Sequence, residues 1–113
     1  MSAPIVDHMN INEYDYYIAS GSYGGFYVKG PNDTDAALKW GSSVKCMAYD
    51  PSIDVMYCGG LSDDVNTIVR RYDANRQTGL TPFFVASNEE VKKIAVVDGI
   101  PLVATNKSIW YQS

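Results

Sequence analysis

The chain has 113 residues, of which 46% are hydrophobic and 19% are charged. This length and composition indicate one folded domain with a modest core, because disordered chains contain fewer apolar residues and more charge. The net charge of −4, without any run of Lys or Arg, argues against nucleic-acid binding, which requires a basic surface. No apolar run approaches the roughly 20 residues of a membrane span, and residues 1–15 lack the basic and apolar regions of a signal peptide. We therefore expect neither nucleic acid nor membrane as a partner, and a location in the cytoplasm or in a virion.

Short apolar runs alternate with turn signals along most of the chain. The turns contain Gly, Pro, Asn, Asp and Ser, and the runs between them are rich in β-branched and aromatic residues, which predicts strands. Residues 1–13 are polar and mixed, and we assign them to an N-terminal arm in which Ile5 and Val6 could form a short strand. Residues 34–40 also fit a helical turn, although a strand is preferred. The predicted strands are residues 14–20, 25–29, 36–40, 44–49, 55–58, 67–72, 82–86, 91–97, 100–105 and 108–112.

Three segments of the chain resemble one another. The sequence Val-Lys-Cys-Met-Ala at 44–48 matches Val-Lys-Lys-Ile-Ala at 91–95, and each is followed by an Asp-containing turn and a short apolar strand. One equivalent strand of each segment begins at residues 26, 68 and 109, a spacing of about 42 and then about 41 residues, in the range of propeller repeats. We therefore interpret residues 14–113 as a single all-β domain of blade-like repeats, with approximate bounds 14–43, 44–87 and 88–113.

The central repeat contains an ordered series of short motifs. An apolar strand leads into a turn with Pro51, and the small-residue strand Tyr57-Cys58-Gly59-Gly60 follows. The acidic turn Ser62-Asp63-Asp64 and the aromatic–acidic pair Tyr72-Asp73 come next. In this order of motifs the chain resembles the WD-repeat family of β-propellers, with Tyr-Asp in place of Trp-Asp and without a Gly-His pair at the start of a repeat. The resemblance covers residues 44–79 well and the flanks loosely, and it implies antiparallel blades and a non-catalytic role in binding proteins.

The number of predicted strands gives about two and a half blades, which is too few for a closed ring. Closed propellers have about four to eight blades, and an open stack leaves unpaired strand edges. The predicted fold is therefore all-β, with antiparallel propeller-type blades in an incomplete ring that identical subunits or partner chains complete. An open β-sandwich is the alternative.

The sequence predicts both the cross-strand register of the first hairpin of the central repeat and its burial. A turn centred on Ser52 places Tyr49 opposite Val55 and Cys46 opposite Cys58. Both faces of this hairpin are then apolar, whereas a strand buried on one side alternates apolar with polar residues. We therefore expect the hairpin to lie between two other layers. The predicted core positions include Trp40, Met56 and Ile94.

No combination of side chains predicts catalysis, a metal site or a cofactor. Cys46 and Cys58 come close across the predicted hairpin, but a zinc site needs four ligands, so we interpret them as two buried apolar residues. His8 has no positioned partner for acid–base chemistry and is interpreted as a surface residue of the arm. The acidic loops 32–35 and 62–64 fit turn chemistry better than calcium binding, because they lack the glycine and the terminal glutamate of calcium loops. We expect no enzyme activity.

The aromatic residues are the strongest indication of a binding surface. Nine Tyr, two Trp and three Phe are many for this length, and Tyr and Trp supply large amphipathic contact areas at interfaces. We expect a structural or scaffolding module that binds protein partners or copies of itself, as a subunit of a larger assembly or of a virion. The alternative is a small oligomeric lectin with carbohydrate sites between blades. The candidate interface residues are Tyr14, Tyr16, Tyr23, Tyr27, Trp110 and Tyr111.

Overall fold

Eleven antiparallel β-strands form the part of the chain that the computed structural model describes, which is residues 4–20, 24–41, 43–60, 67–85 and 89–111. No helix occurs in these ranges, and the prediction of an all-β antiparallel fold is confirmed. The strands are β1 (Ile5–Ile11), β2 (Tyr14–Ala19), β3 (Gly25–Lys29), β4 (Ala37–Trp40), β5 (Val44–Asp50), β6 (Val55–Gly60), β7 (Thr67–Asp73), β8 (Thr78–Val85), β9 (Val91–Val97), β10 (Ile100–Thr105) and β11 (Ile109–Tyr111).

The strands form three sheets that follow one another in sequence. Each strand pairs with its neighbour in the chain, so β1–β4 form the first sheet, β5–β8 the second and β9–β11 the third. Short turns permit this arrangement. Between β9 and β10, for example, Asp98 and Gly99 have φ angles of 51° and 77°, the two positive values that a tight two-residue hairpin turn requires.

The three sheets are stacked face to face, with the second sheet in the middle. The first core cluster consists of Tyr16, Ile18, Phe26, Val28 and Trp40 from the first sheet with Val44, Met47, Met56, Cys58 and Tyr72 from the second. The second core cluster consists of Cys46, Ala48, Val55, Tyr57, Ile68 and Val69 from the second sheet with Val91, Ile94 and Val103 from the third. The β5–β6 hairpin is therefore buried on both faces, as predicted. The predicted core positions Trp40, Met56 and Ile94 are also confirmed.

The register of the β5–β6 hairpin differs by one residue from the prediction. Asp50 lies opposite Val55, and Met47 lies opposite Cys58. The turn contains four residues because the carboxylate of Asp50 accepts hydrogen bonds from the backbone N–H of Ser52 at 3.0 Å and from its hydroxyl at 2.6 Å. Asp54 completes the turn with a φ of 55°. The predicted pairing of Cys46 with Cys58 is therefore wrong, and the two thiols belong to different core clusters.

The structure places a strand in the segment that the sequence assigns to an N-terminal arm. β1 pairs with β2 along its length, and Met9 and Ile11 pack against the first core cluster while His8 and Asn10 are exposed. This alternation has the period of two that a half-buried edge strand requires. The first sheet consequently has four strands, and the three sheets have four, four and three strands.

Strand β8 begins at Thr78, four residues before the predicted start at Pro82. Pro82 lies within β8 opposite Arg70. β8 is an edge strand, with β7 as its only partner in the described sheet, and proline is tolerated there because one side of the strand needs no N–H donors. The predicted start of this strand at Pro82 is therefore wrong, because Pro82 lies inside the edge strand β8.

Candidate interaction surfaces

One end of the stack is the outer face of the third sheet. Ile94 and Val103 are cross-strand partners that point into the second core cluster, so the residues that alternate with them point away from it. We define the third-sheet outer face as Lys93, Ala95, Val97, Ile100, Leu102, Ala104, Ile109 and Tyr111. Seven of these eight side chains are apolar or aromatic, and Val97, Ile109 and Tyr111 are 51%, 73% and 72% exposed. Exposed apolar patches are typical of protein contact surfaces.

The other end of the stack is the outer face of the first sheet. Tyr16, Ile18, Phe26 and Val28 point into the first core cluster, and the residues that alternate with them point away. We define the first-sheet outer face as His8, Asn10, Asp15, Tyr17, Tyr27, Lys29 and Leu38. It is a mixed surface, on which aromatic rings and an exposed leucine lie beside polar groups.

A compact polar cluster lies at the β1 side of the first-sheet outer face. The imidazole of His8 stacks on the ring of Tyr17 at a centroid distance of 4.8 Å, and its Nε2 lies 2.9 Å from Asp15 Oδ1. Asn10 donates a hydrogen bond to the same carboxylate oxygen at 2.9 Å. The hydrogen bonds from Asn10 and then from His8 lower the pKa of Asp15. His8 lies at the surface, as predicted, but it belongs to strand β1 and makes two specific contacts.

Only some of the predicted interface residues lie on these two outer faces. Tyr27 lies on the first-sheet outer face and Tyr111 on the third-sheet outer face, at opposite ends of the stack. Tyr14 is half-buried and packs against the first core cluster. Trp110 is 43% exposed, and its indole Nε1 donates a hydrogen bond to Glu89 at 3.3 Å. Tyr23 lies outside the described residues.

Tyr16 is buried, so its prediction as an interface residue is corrected. Its side chain is 1% exposed, and its hydroxyl accepts a hydrogen bond from Gln77 Nε2 at 2.7 Å. Tyr72 donates a hydrogen bond to Oε1 of the same glutamine at 3.1 Å. Gln77 therefore bridges one tyrosine from each of the first two sheets. Alternation places Tyr16 and Tyr17 on opposite faces of β2, and Tyr16 takes the inward position, where Gln77 and the ring of Tyr72 contact it from the second sheet.

The two cysteines have the environment of apolar core residues. Cys46 donates through Sγ to the carbonyl of Gly59 at 3.6 Å, and Cys58 donates to the carbonyl of Arg70 at 3.8 Å. Burial raises the pKa of Cys46 to about 12 and raises that of Cys58 further. Both thiols are therefore protonated near neutral pH, as expected for buried cysteines in apolar surroundings. Within the described ranges, no three His, Cys, Asp or Glu side chains are grouped as metal ligands would be.

Two clefts lie beside the sheets. A cleft of about 330 Å³ between the first and second sheets is lined by Val6, Ala19, Ser20, Gly24, Ser43, Val44 and Lys45. None of these residues is aromatic. A second cleft of about 340 Å³ lies on the second sheet and includes Arg71, whose guanidinium lies 5.9 Å from the ring centroid of Tyr57 and 6.0 Å from that of Phe83. The guanidinium is thus held against the sheet by two aromatic rings.

Sequence reasoning missed several residues of the outer faces, including Tyr17, Leu38 and Leu102. The signal that identifies them is strand alternation, once one inward residue of each strand is known.

In the described ranges, no helix has the length and apolar character needed to cross a bilayer. Comparison with models of protein families, with curated proteins and with solved structures finds no match for this chain.

Proposed function

We propose that the chain is a non-catalytic structural or scaffolding module, built of propeller-type blades, that binds protein through its outer sheet faces. The observation that carries this proposal is the difference between the middle sheet and the end sheets. The second sheet is covered on both faces, whereas the first and third sheets are each covered on one face only. The uncovered third-sheet outer face has the apolar composition of a covered one. The cytoplasm or a virion is a setting that suits such a module.

The order and packing of the sheets support a propeller-type arrangement. Successive antiparallel meanders that stack in chain order are the construction of propeller blades. The first strand of the second sheet, β5, contacts β9, the first strand of the third sheet, and also contacts β1 and β2 of the first sheet. Neighbouring first strands are expected if the sheets radiate from a common axis. An open stacked sandwich is the competing arrangement, and its first strands need not converge.

The WD-repeat resemblance is compatible with where its motifs lie. The aromatic–acidic pair Tyr72-Asp73 ends β7, and Asp73 accepts hydrogen bonds from the backbone N–H groups of Asn75 and Arg76, both at 3.0 Å. The small-residue strand ends in Gly60, where β6 passes very close to the backbone at Ser43. We include membership of a WD-repeat-like group of proteins in the proposal, on the strength of these local roles.

The solution mass and the dye binding of the purified chain test the proposed function. Light scattering across a dilution series gives the mass, and the fluorescence of anilinonaphthalene sulfonate reports exposed apolar surface. We expect either particles heavier than the 12.5 kDa chain or a monomer that binds the dye. A folded monomer that binds no dye at any concentration would overturn the proposal, because its outer faces would not be contact surfaces.

A carbohydrate-binding role is the second candidate, and one observation favours it. Trp110 is partly exposed, and its indole N–H donates a hydrogen bond to the carboxylate of Glu89. The same carboxylate also accepts a hydrogen bond from the hydroxyl of Thr105 at 2.7 Å. An aromatic ring beside a carboxylate offers a stacking face and a hydrogen-bond acceptor to a sugar. A glycan array tests this candidate. Hits that disappear in Trp110→Ala, but persist in Tyr27→Ala, would support it, and an array without hits would exclude it.

A further inference from the structure

We propose that two copies of this chain associate head to tail, with the third-sheet outer face of each copy packed on the first-sheet outer face of the other. The product is a closed ring of six sheets with two identical contacts. This inference rests on the proposed blade architecture and specifies its partner as a second copy of the chain. It also assigns a role to the residues that face away from both core clusters.

The composition of the two faces suits a mutual contact. The third-sheet outer face offers branched aliphatic side chains, and the first-sheet outer face offers the rings of Tyr17 and Tyr27 with Leu38, a combination that packs well across sheets. Charge is compatible too. Lys93 is the one charged residue defined in the third-sheet outer face, and the opposing face has Asp15 beside Lys29. Although the chain has a net charge of −4, its acidic excess lies elsewhere.

The contacts inside the chain show the same mode of packing. Between the first two sheets, aromatic residues of one sheet, including Tyr16 and Phe26, pack against aliphatic residues of the next, including Val44 and Met47. The head-to-tail contact likewise joins an aromatic face to an aliphatic one, with the order of the two faces along the stack reversed. A contact between two third-sheet outer faces would instead leave both first-sheet outer faces uncovered.

The area of the faces favours a ring over a single contact. The third sheet has strands of seven, six and three residues, which at about 3.3 Å per residue and about 4.8 Å per strand give a face of roughly 250 Å². One head-to-tail contact covers two such faces, or roughly 500 Å², which is in the range of crystal-packing contacts below about 800 Å². Two contacts in a closed ring cover roughly 1,000 Å² before side-chain relief is counted, which is about the minimum size of a biological interface.

The number of sheets selects a dimer. Two copies provide six sheets, within the range of about four to eight blades in closed propellers, and three copies would provide about nine. In the closed dimer, the second contact forms within one complex, so its effective concentration is high and the weak individual contacts reinforce each other.

Single charged substitutions on each face test the inference by sedimentation equilibrium. Ile109→Arg alters the third-sheet outer face and Leu38→Glu alters the first-sheet outer face. Both positions are exposed, at 73% and 53%, so both variants should fold, which circular dichroism checks. The matched control is Ile53→Arg, an equally exposed apolar position in the β5–β6 turn, outside both faces. We expect a wild-type dimer of twice 12.5 kDa, a dissociation constant raised about tenfold or more by each face variant, and no change in the control.

Mixing the two face variants distinguishes the head-to-tail ring from a dimer joined through two third-sheet outer faces. In an equimolar mixture, a heterodimer has one unaltered contact and one in which Arg and Glu lie on facing surfaces, so dimer should reappear. A dimer that survives Leu38→Glu, a mixture that stays monomeric, or a trimer would overturn this inference and leave the proposed function standing. A monomer that binds the dye would do the same. A folded monomer without dye binding would overturn both.

Discussion

The Gln77 bridge between the first two sheets provides the sharpest test of how the stack is held together. Gln77 lies in the turn between β7 and β8, where its Nε2 donates to the hydroxyl of Tyr16 and its Oε1 accepts from that of Tyr72. The same amide also donates to the carbonyl of Ala74 at 2.8 Å. Gln77→Ala removes all three bonds and leaves two tyrosines, each 1% exposed, without their partner.

The expected loss of stability is about 2–6 kcal/mol, because each of the two buried hydroxyls that lose their partner costs about 1–3 kcal/mol. Backbone strain does not change this figure. Gln77 already has a φ of 55°, and alanine at the same angle has the same Cβ. Urea unfolding followed by tryptophan fluorescence measures the effect, at one fixed protein concentration, since self-association would shift the midpoint.

A double-mutant cycle identifies the hydroxyl of Tyr16 as the group left unsatisfied. Tyr16→Phe alone should cost about 1 kcal/mol, and in the Gln77→Ala background it should cost less or even stabilise, because the orphaned hydroxyl is gone. If Gln77→Ala changes the free energy of unfolding by less than about 0.5 kcal/mol, or if the two effects simply add, the bridge does not couple the sheets.

Three further predictions concern the core, a glycine and alkaline pH. Met56→Ala should cost about 2–5 kcal/mol in urea unfolding, because Met56 is 0% exposed in the first core cluster; a loss under about 1 kcal/mol would contradict this packing. Gly60→Ala should abolish or strongly weaken folding in a solubility and circular dichroism assay, because the new Cβ would lie 1.9 Å from the carbonyl oxygen of Ser43. Burial raises the pKa of Tyr72 to about 12, against 10.0 in an exposed tyrosine, and also raises the pKa of Tyr16. Folded tyrosines therefore keep protons that unfolded ones lose, and stability measured between pH 9 and 12 should be full below about pH 10 and fall as the pH approaches 12.

The strands could be predicted because their information is local. β3, β9 and β10 have the predicted bounds, since each is an apolar run between turn-forming residues. Of β1, only a short strand at Ile5 and Val6 was considered, because half of its residues face solvent and the inward ones, Met9 and Ile11, are few. The β5–β6 register escaped prediction, because it depends on the hydrogen bonds of Asp50 within the turn, and a one-residue change of turn length exchanges every cross-strand pair.

The candidate surfaces were less predictable than the strands. Counting aromatic residues identified Tyr27 and Tyr111, but alternation alone cannot tell which of Tyr16 and Tyr17 points inward. That choice is made by the second sheet, where Gln77 donates a hydrogen bond to the Tyr16 hydroxyl and the ring of Tyr72 packs against that of Tyr16. The aliphatic residues of the third-sheet outer face, such as Val97 and Ile109, have the same composition as core strands, so no local sequence pattern distinguishes these exposed residues from buried ones.

The positions of the two thiols allow their reaction with a thiol reagent to report partial separation of the sheets. Cys58 is 0% exposed in the first core cluster and Cys46 is 8% exposed in the second, so the separation of one particular pair of sheets increases the access of a thiol reagent to each. Their labelling rates therefore measure two different opening free energies in one molecule. Faster modification of Cys46 would mean that the third sheet peels away while the first two remain together, and equal rates would mean that the stack opens as a single cooperative unit.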